Sequence, residues 1–188
     1  MRIHQHAALG LAATACLVLS GCTNAADWNA NRSSQIHSYD TSSIQAQPDI
    51  IAKLPHGALE DGVLNVAAST DYAPAEFLDP SGKAVGYDVD LTNAIAAVLG
   101  VKGTVHTAEF DSIITSIGSK YDAGISSFTV TPERIAEVNM TSYINVGSRF
   151  NVQAGNPKGV ETSDHLQLCG RTIGVQVGTA QETTMRDA

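Results

Sequence analysis

The sequence predicts an α/β fold built on a mainly parallel, doubly wound sheet. β-prone runs open at Leu64, Val101 and Ala123, and each leads through a loop into a helical period, giving the order β-loop-α-β-α-β-α. Helix-start residues Asp88, Asp111 and Thr131 stand at the junctions, with Gly100 as a helix end. Hydroxyls and one arginine gather where the third strand hands over to its helix, and ligands on such sheets sit beyond the carboxyl ends of strands.

Residues 1–21 read as a targeting segment and are set aside from the fold. Arg2 with His4 and His6 makes a weakly basic start, residues 7–18 are apolar, and Leu19, Ser20, Gly21 and Cys22 close the run. The stretch is too short to span a membrane and stay there. Leu-Ser-Gly-Cys resembles the bacterial lipobox, which makes Cys22 a lipidated new N-terminus; the other reading is an ordinary secretory signal with an incidental cysteine. Residues 22–55 are expected to form a flexible linker after Cys22, because residues 23–48 are rich in Asn, Ala, Ser, Thr and Gln without helical or strand period. Trp28, the only tryptophan, either folds back on the body or stays exposed.

The body begins near residue 56. Residues 64–68 follow the turn signal Glu60-Asp61-Gly62 and read as the first strand. A loop with Tyr72, Pro74, Glu76 and Phe77 precedes the turn Asp79-Pro80-Ser81-Gly82. Asp88 is the expected cap of a helix whose apolar stripe is Leu91, Ala94, Ile95, Val98 and Leu99. The second strand covers about 101–107, and Asp111 caps a helix that turns Ile113, Ile114 and Ile117 inward. The third strand is placed at 123–126. Residues 147–153 alternate like a further strand, and Gly155-Asn156-Pro157 ends it. Beyond that break, Thr162 or Ser163 is expected to cap a short helix, residues 171–176 to form a strand, and residues 178–181 to lead into a last helix. One strand and two short helices cannot bury a core of their own.

Residues 126–134 carry the clearest chemical signal. Ser126, Ser127 and Thr129 offer hydroxyls, Thr131 is a natural N-cap, and Pro132 suits the first helical position. Arg134 then falls in the first turn, where the helix dipole disfavours cations. Two readings account for it. A carboxylate held by the guanidinium and the hydroxyls is one; an exposed cap whose arginine pairs with Glu137 at i,i+3 is the other. Ser69 and Tyr72 follow the first strand and Phe110 the second, so they open on the same edge of the sheet and outline a pocket for a small amphipathic anion. Tyr72 and Phe110 also read as core residues.

Charge and cysteines exclude several classes. Removing Arg2 leaves 10 basic residues of 11 against 19 acidic ones, which disfavours nucleic-acid binding. Cys16 leaves with the leader and Cys22 takes lipid, so Cys169 remains alone. His37, His56, His106 and His165 are scattered without ligand spacing, and neither a metal nor a cofactor is expected.

From about Asp61 onward the chain resembles the extracellular solute-binding proteins of family 3, the polar-amino-acid-binding lipoproteins of ABC importers. The resemblance rests on ordered pieces: Tyr72-Ala73-Pro74-Ala75-Glu76-Phe77, Gly86-Tyr87-Asp88-Val89-Asp90-Leu91, Phe110-Asp111-Ser112-Ile113-Ile114, Lys120-Tyr121-Asp122, residues 126–134, and Gly174-Val175-Gln176-Val177-Gly178-Thr179. It implies a two-lobed, class II periplasmic-binding-protein fold, with a nearly complete first lobe at 56–155 and a second lobe only begun at 156–188. It also implies roles. Arg134 clamps a ligand α-carboxylate with help from Ser127 and Thr129, and Ser126 matches a backbone carbonyl contact to the α-amine. Tyr72 and Phe110 match aromatic walls. Thr179 and Ala180 match a second-lobe loop that donates to the carboxylate, and Gln176 lines the pocket. The implied partners are an amino acid, the permease subunits, and the membrane through the lipid, outside the cytoplasm.

Two departures qualify what the resemblance implies. Ser69 sits where many members carry an aspartate facing the ligand side chain, and Ala75 replaces a common phenylalanine; a neutral or acidic ligand is therefore expected over a basic one. Members of the family also continue for roughly another domain's worth of residues, including the partner of Cys169 in many of them. The chain is accordingly expected to be a C-terminally truncated form that binds ligand poorly, since a two-lobed cleft closes only with both lobes. Competing readings are a dehydratase acting on cyclic amino acids, or a ligand-sensing module. No nucleophile stands beside a base, and Glu76 alone is a candidate for acid–base work, so no catalytic residue is assigned.

Overall fold

The computed structural model describes residues 38–163 and 165–187. The leader, Cys22 and Trp28 lie outside the described residues.

Three parallel strands form the central sheet in the order β5-β1-β6: β1 Val63–Ala68, β5 Lys102–Thr107 and β6 Ala123–Gly124. The register pairs Val63 with Lys102 and Ala68 with Thr107, while Val66 and Ala67 pair with Ala123 and Gly124. Between β1 and the first long helix lies a small antiparallel sheet of β2 Asp71–Tyr72, β3 Glu76–Leu78 and β4 Ala84–Val85. The helices are α1 Pro48–Ile51, α2 Tyr87–Leu99, α3 Phe110–Ser116, α4 Pro132–Glu137 and α5 Ala180–Asp187, with a 3-10 turn at His165–Leu168. The predicted α/β order from β1 to α4 is therefore present, with the antiparallel hairpins added where a loop was expected.

Strand β1 is the centre of the core, and parallel strands covered on both faces read as continuous apolar runs. Leu64 and Val66 pack with Ala96, Leu59, Val101, Ala123 and Ile125 on one face. Ala67 packs with Ile113, Tyr121, Ala108 and Phe128 on the other. Val66 and Ile113 are fully enclosed, and each such side chain contributes about 1.5–3 kcal/mol.

Several local expectations are corrected. Helix α2 begins at Tyr87 with Gly86 as its N-cap, so Asp88 lies inside the first turn and is buried. The Tyr87 and Asp88 amides donate to the Pro74 and Ala75 carbonyls (3.3 and 2.9 Å), which makes a side-chain cap unnecessary. The inward face of α2 is Val89, Thr92 and Ala96, one notch away from the expected stripe, and Ile95 is exposed. A Cβ at Gly103 would stand 3.2 Å from Ala96 Cβ, so helix and strand approach too closely for large side chains between them. Helix α3 is capped at Glu109, not Asp111.

The linker expectation also shortens. The Tyr39 amide donates to Asp90 Oδ2 (2.8 Å), Ser38 bonds the same carboxylate, and the Gln47 amide donates to the Val98 carbonyl (2.9 Å), so residues 38–55 hold to α2 and the ordered body starts before residue 56. Neither 147–153 nor 171–176 is a strand. A strand is defined by its ladder, and no described segment pairs with either. No described residue after Ser126 is buried, neither in 127–155, expected as part of the first lobe, nor in the segment beyond 155 that was expected to lack a core of its own. The short helix expected after Ser163 is the 3-10 turn.

Candidate functional site

Because β1, β5 and β6 run parallel, the segments after them open on one edge. Ser69 and Thr70 continue β1 and are buried, and Thr70 Oγ1 meets Thr107 Oγ1 across the sheet (2.9 Å). Phe110 starts α3 after β5. Residues 125–131 follow β6 and carry Ser126, Ser127, Phe128 and Thr129 to the cap of α4, where Thr131 Oγ1 accepts from the Arg134 amide (3.4 Å) as the N-cap rule predicts.

Arg134 is half-buried at this edge. Its guanidinium carbon lies 5.6 Å from the Phe110 ring centre and 5.3 Å from that of Phe128, and the two rings stack on each other at 4.5 Å. Nη1 donates to the Thr129 carbonyl (2.7 Å) and Nη2 to the Gly178 carbonyl (2.8 Å). Neither acceptor is a carboxylate, and among the described residues the only ion pair is Arg186 with Glu182, so Arg134 does not pair with Glu137. Burial pushes the guanidinium down from its ordinary value, yet an arginine stays charged at any physiological pH. The arrangement is a half-buried cation beside a stacked pair of rings, with N–H donors to spare.

Residues from the far segment reach the same edge. Gly178 packs so closely on α3 that a Cβ there would lie 2.7 Å from Asp111 Cβ, at a φ of +76° that glycine tolerates. Gln176 Nε2 donates to Ser69 Oγ (3.3 Å). Thr179 Oγ1 donates to the Gln176 carbonyl (2.8 Å) and accepts from the Glu182 amide (3.1 Å), while Glu182 accepts from the Gly178 amide (2.7 Å). This is close to a capping box, and it commits the Thr179 hydroxyl to the helix. Any donation to a ligand from Thr179 and Ala180 is left to the amides at the start of α5, which have no partner within the helix.

Beneath the hydroxyls lie two enclosed acids. Ser126 Oγ donates to Glu76 Oε1 (2.6 Å) and accepts from the Ser69 amide (2.9 Å). Asp88 Oδ2 accepts from Tyr143 Oη (2.8 Å) and at the limit of range from Ser127 Oγ (3.4 Å), and Tyr143 Oη accepts from the Ser127 amide (3.1 Å). Burial pushes Glu76 up to about 8, against the Ser126 hydrogen bond, with the neighbouring Asp88 and Asp71 adding to the rise. Burial likewise raises the Tyr143 phenol. Ser127 takes a φ of +50°, a conformation uncommon for residues other than glycine and one it shares with Leu59 and Asn156.

Of the sequence-predicted residues, Arg134, Phe110 and Thr129 form one group, and Ser69, Ser126, Ser127 and Gln176 a second, with Thr179 and Ala180 beside Gly178. Tyr72 stands on β2 with 56% of its surface exposed. Phe128, Asp88 and Tyr143 escaped the sequence reading. Phe128 is legible as the apolar residue inside a hydroxyl-rich stretch, and Asp88 reads locally as a cap; Tyr143 carries no local signal. Glu76, the acid–base candidate, is fully enclosed.

A helix-wound parallel sheet, with a half-buried guanidinium beside two stacked aromatic rings at its carboxyl edge, is the architecture of the two-lobed periplasmic-binding class. Residues 64–186 match the bacterial extracellular solute-binding proteins, family 3, and the chain belongs to that family. It is 30% identical over 179 residues to the arginine-binding protein ArgT of Corynebacterium glutamicum, covering 94% of this chain and 56% of that protein. It is 31% identical over 129 residues to the L-cystine-binding protein TcyJ of Escherichia coli, covering 68% and 48%. The chain thus spans about half the length of these relatives. Among solved structures, an ancestral amino-acid-binding protein that is a precursor of cyclohexadienyl dehydratase superposes with a TM-score of 0.64 at 31% identity, over 69% of this chain and 58% of that one.

Proposed function

We propose that this protein captures a polar amino acid outside the cytoplasm for an ABC importer, held to the membrane by lipid on Cys22. The observation that carries the reading is Arg134: a half-buried guanidinium over Phe110 and Phe128, bonded among the described residues to two carbonyls, at the sheet edge where ligands of wound sheets sit. It takes the α-carboxylate, with the Ser127 hydroxyl and the first amides of α5 as further donors. Tyr72 and Phe110 flank the ligand, and Gln176 and Ser69 face its side chain. Residues 56–155 act as the first lobe and 156–188 as the opening of the second.

The side-chain preference is proposed as cationic, which replaces the neutral or acidic ligand expected from Ser69. Asp71 Oδ1 accepts from Ser69 Oγ (2.9 Å) and is exposed, so a carboxylate stands beside the position where an acid was missing. The name of the Corynebacterium glutamicum relative points the same way.

Titration of the 15N-labelled chain with L-arginine up to millimolar concentration, followed by amide NMR, tests the reading. Shifts at residues 126–129 and 178–180 are expected, and Arg134→Ala should weaken binding tenfold or more, since a charge-assisted contact contributes about 1.5–3 kcal/mol. Equal affinity in the variant, or no shifts with L-arginine, L-lysine, L-cystine or L-glutamine, overturns it.

A further inference from the structure

We infer that Glu76 and Asp88 share a single proton and together act as the positioning pair for Ser126 and Ser127, so that the edge of the site is set by one protonated carboxyl. Each acid is enclosed, at 0% and 1% exposure. They are neighbours in space: the Asp88 amide donates to the carbonyl of Ala75, the residue before Glu76 (2.9 Å), and the two carboxyls take the hydroxyls of adjacent residues, Ser126 and Ser127. Each holds a site residue with one oxygen, Glu76 Oε1 through the Ser126 hydroxyl and Asp88 Oδ2 through Tyr143 and Ser127. Each then leaves its other oxygen, Glu76 Oε2 and Asp88 Oδ1, buried without a donor.

Two enclosed acceptors side by side are under-satisfied as a pair of carboxylates, because an ionised carboxyl only accepts. A proton on Glu76 turns it into the donor that Asp88 lacks and removes one of two like charges, the arrangement by which paired acids in other sites keep one proton. The charged groups facing Glu76 are Asp88 from α2 and Asp71 from β2, and none of those that influence it is a cation. Ser126 comes from the β6 loop, and Tyr143 reaches Asp88 from the segment after α4. Burial places the Glu76 transition at about 8. When that proton leaves, two buried negative charges face each other directly beneath Ser126 and Ser127, and the hydroxyls are expected to shift.

The inference depends on the binding reading only in counting Ser126 and Ser127 as site residues, and its test needs no amino acid. The 188-residue chain is labelled with 13C at glutamate and aspartate carboxyls and with 15N at amides, and titrated from pH 4 to 10. One glutamate carboxyl, identified by its loss in Glu76→Gln, should titrate near 8, and the amides of Ser126 and Ser127 should move with the same midpoint. Glu76→Gln retains a donor and an acceptor, so it should keep those amides at their low-pH positions and make them independent of pH. Asp88→Asn supplies a donor to Glu76 and should return its midpoint towards the ordinary range.

Urea unfolding gives a second readout with a defined sign. The group's folded value is raised above its unfolded one, so between about 4.5 and 8 the unfolded state releases a proton that the folded state keeps. The stability it contributes is fully present below 4.5 and falls as pH rises through 8; the midpoint difference between wild type and Glu76→Gln should change across that window. Every glutamate carboxyl titrating between 4 and 5, or Ser126 and Ser127 amides indifferent to the Glu76 transition, overturns the inference.

Discussion

Arg134 shows how a side chain that local rules disfavour is kept by its surroundings. A cation in the first turn of α4 works against the helix dipole, yet two carbonyls and two ring faces hold it. Gly86 is a second such position, for a different reason. Its φ is +122°, and a Cβ there would stand 2.2 Å from the Ala75 carbonyl oxygen, the atom that receives the Asp88 amide. Gly86→Ala should therefore cost about 3 kcal/mol or more, read as a lower urea midpoint, through backbone strain and the displacement of that carbonyl. The change would also move Asp88, and with it the hydroxyls above. Sequence reading reached Arg134, Ser126 and Ser127 because hydroxyls and a misplaced cation are visible in one dimension. It misassigned Asp88, because whether an acid caps a helix or sits inside it depends on which carbonyls lie nearby.

Secondary elements divide in the same way. Strand β1 and helices α2, α3 and α4 are legible from short apolar runs, the Thr131 cap and Pro132, all of which act within a few residues, although the caps of α2 and α3 fall at Gly86 and Glu109 and not at the expected aspartates. The antiparallel β2-β3-β4 sheet has the local sequence of a loop, since its strands are two or three residues long and exist through pairing. The buried face of α2 was displaced for a packing reason: close approach to Gly103 selects Thr92 and Ala96 over the larger Leu91 and Ile95. At the far end, α5 depends on its own cap. Thr179→Ala removes the acceptor for the Glu182 amide and should lower the stability of α5 by about 1 kcal/mol, measured as faster amide hydrogen exchange at residues 182–184 with little change in the central sheet.

For the whole molecule, the distribution of buried residues is the main fact. The core lies on both faces of β1, and of the described residues after Ser126 none is buried, Phe128 packing against the core from outside. The far segment reaches the site through the bonds of Arg134 to Gly178 and Gln176 to Ser69, and through the close packing of Gly178 on Asp111. That arrangement suits a protein whose two sides meet over a ligand, which is how the proposed capture would operate. The proposed anchor adds a cellular prediction. Cys22→Ala should abolish incorporation of labelled palmitate and release the chain from the membrane fraction, whereas a chain that stays with the membrane unlabelled would remove lipid from the proposal.

Short apolar runs, turn residues and the Thr131-Pro132 helix start are enough to establish the α/β order, the sheet edge and the arginine that marks it, because each is a matter of neighbours in the chain. The partners of that arginine, the enclosure of Glu76 beside Asp88, and the reach of Tyr143 and Gln176 to residues 55 and 107 positions away required the folded chain. Burial and pairing at such separations are properties of packing in space, and no local pattern encodes which distant group will exclude water from a given carboxyl.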